Sequence, residues 1–226
     1  MSFLIANLAF AAPKKDPFNC QDSLFPYQNQ TRELTETIQK TKEKFRTIYR
    51  NYQELTQTQL AEIAVNSFGK MTPLKYQIIT HRLYFTNEML NNFSLKSIRS
   101  IDWGINCHPN QDFEYTAPLD LYKQGKIYAL VNYYGEQKVD APDFIDDLHI
   151  YIGTLFMERS DERVITLLHE LSHLSSFPAD DVISNPNNLM LYNAIPTVDY
   201  YLEAGDPKAI FDAYVWEIFL ESLANL

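Results

Sequence analysis

The residues His169, Glu170, Leu171, Ser172 and His173 constrain this chain more than any other stretch, because two imidazoles four positions apart act together only on a helix. A helical turn places both on one face, within reach of a single metal ion. The Glu170 carboxylate then lies beside them, able to take a proton from a coordinated water. The flanking residues predict a helix over 160–175. Ser160 can cap its start, Asp161 and Glu162 put negative charge in its first turn, and neither Gly nor Pro interrupts before Pro178. Val164, Leu167, Leu168, Leu171 and Leu174 keep the spacing of a buried stripe. At about 100° per residue, His169 and His173 point away from that stripe. Chance puts HExxH into on the order of one in a hundred chains of this histidine content. With a core stripe behind it, the motif makes one Zn²⁺ ion the expected cofactor.

A catalytic zinc takes three protein ligands and leaves the fourth position to water, so His169 and His173 are one ligand short. Asp180 and Asp181, seven and eight residues beyond His173, are near enough for the chain to turn back. Glu203, Glu217 and Glu221 are the competitors that would bring a glutamate from downstream. Periodicity does not decide between them.

The remainder of the chain predicts an α+β domain. From Thr31 to Phe68 apolar residues recur at mostly helical intervals, and Gly69 offers a stop. Thr72 and Pro73, cap then first-turn proline, open a second helix to about Asn91. His81 reads as a surface or packing residue. Ile98, Ile101, Trp103 and Ile105, then Ile127 to Tyr134, then Leu148 to Ile152, are short β-branched and aromatic runs that predict three or more strands. His149 alternates into the last of these and reads as structural. Asp206 and Pro207 open a final helix, Lys208 to about Ala224. On it Ala209, Ala213, Trp216 and Leu220 form one stripe, while Ile210, Tyr214, Glu217 and Glu221 share another face.

Composition narrows the partners. A net charge of −10 and a pI near 4.9 exclude a nucleic-acid surface and anchoring on anionic lipid, and fit a polypeptide substrate. Phe3 to Ala12 is a short apolar run whose Ala9-Phe10-Ala11 resembles the end of a secretory signal, so residues 1–11 read as a signal-peptide remnant. Residues 12–226 then form one domain, with a helical part over 31–91 and a sheet-bearing catalytic part over 97–226. No other run approaches membrane-spanning length. The domain is expected to be secreted or periplasmic and monomeric, and in an exported chain Cys20 and Cys107 would pair.

From about Cys20 to Glu221 the chain resembles the aspzincin metallopeptidases, the group of deuterolysin and the peptidyl-lysine metalloendopeptidases. Leu148 to Phe156 stands where that family has the strand leading into its HExxH helix, Pro178 to Asp181 where it has Gly-Thr-x-Asp, and Asp206 to Glu221 where it has its Asp-Pro helix. The resemblance implies a zincin-like fold with N-terminal helices, a small mixed sheet, the HExxH helix and a C-terminal helix. It also implies a secreted zinc-dependent endopeptidase that cuts peptide bonds in proteins. The implied zinc ligands are His169, His173 and Asp181, with Glu170 as general base and a disulfide between Cys20 and Cys107. The chain departs from the pattern in places. Pro178 and Ala179 replace Gly-Thr, and the loop is one residue shorter, which keeps Asp180 open as the ligand. Ser184 stands where the family has an oxyanion-stabilising tyrosine, a role Tyr192 takes if Asn185 to Leu191 is an insertion. Lysine selectivity in the family rests on an Asp and a Glu three apart on the last helix. Here Tyr214 and Glu217 occupy those places as substrate-binding residues, and the surviving carboxylate implies a preference for a basic residue after the scissile bond. The alternative is a binding or effector module that keeps the scaffold and a structural zinc with little or no catalysis.

Overall fold

The structure, a computed structural model, describes residues 20–107, 128–131, 149–174, 209, 210 and 212–226. Three helices come first, α1 (Thr31–Glu54), α2 (Gln57–Phe68) and α3 (Pro73–Asn92). The apolar pattern from Thr31 to Phe68 is therefore two helices rather than one. The break is local chemistry: the Thr56 hydroxyl accepts from the Gln59 N–H at 3.3 Å and the Gln59 side chain accepts from the Thr56 N–H at 3.0 Å. This reciprocal pair starts a new helix by satisfying two otherwise unpaired amides. Gly69 ends α2 at φ 64°, a left-handed value that glycine takes without steric cost. Thr72 caps α3 and Pro73 occupies its first turn, as the sequence predicts. The Lys75 ammonium reaches back to the carbonyls of Phe68 and Lys70 beyond the end of α2. Its burial lowers its pKa.

The strands are short. β1 (Ile98–Ser100), β2 (Ala129–Val131) and β3 (Ile150–Ile152) form a sheet in the order β1-β3-β2. β1 runs parallel to β3 with Ile98 opposite Ile150, and β2 runs antiparallel with Ala129 opposite Ile152. All three residues of β3 are buried, as a central strand covered on both faces requires. The alternation Ile101, Trp103, Ile105 predicts a strand, but the chain forms helix α4 (Ile101–Cys107) there. The Ser100 hydroxyl accepts from the Trp103 N–H at 3.0 Å and caps that helix, so the strand stops at Ser100. Cys20 and Cys107 are joined in a disulfide across 87 residues. Nearby, the Trp103 indole donates to the Cys20 carbonyl at 3.2 Å and the Ser100 N–H to the Ser23 carbonyl at 2.7 Å. The N-terminal segment is thereby fixed against β1 and α4.

β3 leads through Gly153 into α5 (Thr154–Glu158) and then α6 (Arg163–His173), which carries the HExxH residues. α6 is shorter than the predicted 160–175. Ser160 does not cap it: Ser160 and Asp161 lie in a turn, and the residue before the helix is Glu162, whose side chain makes no capping bond. The buried Arg163 takes over this end, donating to the Phe156 and Met157 carbonyls of α5 and pairing with Glu33 of α1 at 3.2 Å. The guanidinium satisfies carbonyls that the end of α5 leaves unpaired.

The last helix, α7 (Ala213–Ala224), begins later than Lys208. The Asp212 carboxylate accepts from the Tyr214 and Val215 N–H groups, at 2.9 and 3.1 Å, and sets the start. Asp206 and Pro207 lie outside the described residues. The predicted stripe of Ala209, Ala213, Trp216 and Leu220 is buried throughout. Trp216 packs on Phe68 at 5.8 Å and Phe219 at 5.2 Å, with the Arg82 guanidinium 4.8 Å above its ring. Arg82 is fully buried and donates to the Ile210 carbonyl at 2.8 Å, and desolvation pushes its pKa down. One continuous core runs from Leu24 through all three N-terminal helices to α6 and α7. The described parts of both predicted regions therefore share it. Among the described residues no helix is long and apolar enough to cross a membrane.

Candidate metal centre

α6 crosses the middle of that core, in contact with α1, α3, α7 and β2. Leu167, Leu168, Leu171 and Leu174 are buried as the stripe predicts, and Val164, near the start, is partly covered. The opposite side is covered as well. His169 and Glu170 are 7% and 6% exposed, so the second half of the helix is enclosed on both sides. Ser172 is buried too, and its hydroxyl donates to the His169 carbonyl at 2.6 Å, which removes an unsatisfied polar group from the interior.

His169, Glu170 and His173 each offer a ligand atom, and these atoms lie within 4.8 Å of one another. The two imidazole rings are 4.9 Å apart and nearly perpendicular. The group could hold a metal ion. Two imidazoles and a carboxylate, mostly sheltered from solvent, make a donor set suited to a borderline divalent cation. The residues present therefore fit the ion that the motif implies.

α7 closes one side of this group. The Glu217 carboxylate lies 2.6 Å from Nδ1 of His169, and the Tyr214 ring is centred 4.7 Å from the same imidazole. A carboxylate can only accept, so Nδ1 carries the proton and donates it. In the neutral imidazole that donates from Nδ1, the lone pair is on Nε2, the nitrogen that can bind a metal. Glu217 stands outside the cluster of three whose ligand atoms converge. Its side chain is one-quarter exposed.

The other candidates separate cleanly. Glu221, one turn further along α7, pairs with Lys44 of α1. His81 is exposed on α3, and His149 is half-buried immediately before β3. Asp180, Asp181, Ser184, Tyr192 and Glu203 lie outside the described residues, as does the segment 1–11. The contact of Glu217 with His169 is not visible in the sequence as such. Its only trace is that Tyr214 and Glu217 are three apart and so share one helical face. Compared with protein-family models, with curated proteins and with solved structures, the chain finds no match in any of the three.

Proposed function

We propose that this chain is a secreted zinc-dependent endopeptidase of the aspzincin kind. The observation that carries the reading is the convergence of His169, Glu170 and His173 within 4.8 Å on a helix packed into the core. The disulfide between Cys20 and Cys107 supports an oxidising compartment. Aspartate 180 or 181 completes the ligand set in this reading, Asp181 by its position in the motif. Zinc held in such a site supplies a Lewis acid that polarises a carbonyl and makes water acidic enough to lose a proton near neutral pH.

His169 and His173 present imidazole nitrogens to the ion. The Glu170 carboxylate accepts a proton from the attacking water and passes it to the leaving amine nitrogen, since one group can serve as base and then as acid in succession. Tyr192 is the side chain proposed to stabilise the oxyanion.

The test is Glu170→Gln, which keeps the side chain's size and removes its basicity. Hydrolysis of an unfolded protein should fall by about 10²–10⁴-fold with one zinc per chain retained. Zinc-loaded, folded wild-type protein that produces no cuts by mass spectrometry would overturn the peptidase reading and leave a binding module with a structural metal.

A further inference from the structure

We propose that Glu217 is a positioning residue for the metal centre: by accepting the Nδ1 proton of His169 it fixes the tautomer and the angle at which that ring offers Nε2 to zinc. This inference rests on the zinc reading above and assigns Glu217 a place different from the substrate pocket that the family resemblance implies.

Three observations combine. The contact is short, 2.6 Å, and joins two helices 48 residues apart in the chain. His169 is 7% exposed, so its Nδ1 proton needs an acceptor inside the protein, where an unsatisfied donor is costly. The helix carrying Glu217 is itself fixed, by the Asp212 cap at its start and by Trp216, one residue before Glu217, packed in the core. Tyr214 presses its ring against the same imidazole from one turn earlier. His169 is thus held by a hydrogen bond at Nδ1 and by ring packing. A carboxylate behind a ligating histidine also raises the basicity of the nitrogen that binds. His173 stands at the end of α6 and is less buried than His169.

The experiment measures zinc affinity by competition with a chromophoric chelator, for wild type, Glu217→Ala and Glu217→Gln, together with the visible spectrum of the cobalt-substituted proteins. Glu217→Ala should weaken zinc about 10–100-fold. Glu217→Gln, which can still accept from Nδ1 but lacks the charge, should fall between it and wild type and keep the cobalt spectrum closer to wild type. Far-UV circular dichroism of the metal-free variants establishes that the comparison is between folded proteins, and Glu217→Gln serves should Glu217→Ala not fold. Affinity within twofold of wild type in both variants, with cleavage before Lys and Arg lost, would overturn positioning and return Glu217 to the substrate pocket. Wild type that binds no zinc would instead overturn the metal reading itself, and this proposal with it.

Discussion

The two faces of α7 meet different neighbours and follow different rules. One face, Ala213, Trp216, Leu220 and Leu223, is buried against the N-terminal helices. The other, Tyr214, Glu217 and Glu221, is partly open, and its residues reach His169 and Lys44. Burial of the first face fixes the rotation of the helix, since fully burying a large side chain is worth about 1.5–3 kcal/mol. The aim of Glu217 then follows from the rotation. Within the second face, Glu217 and Glu221 are one turn apart and chemically identical, yet only Glu217 points to the metal group. Position relative to the core, not residue type, separates a site carboxylate from a surface ion pair.

Substitutions can break or sharpen that contrast. Trp216→Ala should have the largest effect, about 3–5 kcal/mol of stability by urea unfolding, because it empties the space among Phe68, Phe219 and Arg82. If the apolar face sets the rotation, the folded fraction of this variant should also bind zinc more weakly; unchanged affinity would show that the Glu217 contact orients the helix by itself. Asp212→Ala removes the cap and should cost about 1 kcal/mol of thermal stability, since two amide donors lose their acceptor. Glu221→Gln should be nearly silent, changing stability by less than about 0.5 kcal/mol, because its ion pair with Lys44 is partly open to solvent. Its zinc affinity, measured by the same chelator competition, should equal wild type. A loss of bound zinc in that variant would restore Glu221 as a metal ligand.

Legibility in the sequence tracked the range of the interaction. The stripe of α6, the Gly69 stop, the Thr72-Pro73 start and the buried stripe of α7 are local patterns, and each was readable because its period or cap lies within a few residues. The break at Thr56 is hidden in the sequence because apolar spacing continues through it, and only the Thr56 and Gln59 side chains mark a new start. The turn of β1 into α4 is hidden because alternation over Ile101, Trp103 and Ile105 outweighs a single serine at position 100. Ser160 looked like a cap because it is the right residue type, but the job at that end of α6 is done by Arg163 through contacts to Phe156, Met157 and the distant Glu33. The metal group itself was legible, since HExxH is one helical turn. Its partner Glu217 was nameable but not placeable, because nothing in a helical face says which neighbour it meets.

The disulfide has a consequence for a molecule proposed to cut polypeptides. Residues 20 to 107 form a covalent ring containing α1 to α4 and β1, and α6 and α7 hang from it on a single chain. A cut at the Leu55-Thr56 junction or in the turn from Gly69 to Thr72 opens the ring without detaching anything, and both products remain one molecule. After damage by a neighbouring copy in that half of the protein, the pieces would stay joined under non-reducing conditions and the molecule would gain only the water added by each cut, whereas one cut between Cys107 and α6 would release the metal-binding segment from its scaffold once the core opens.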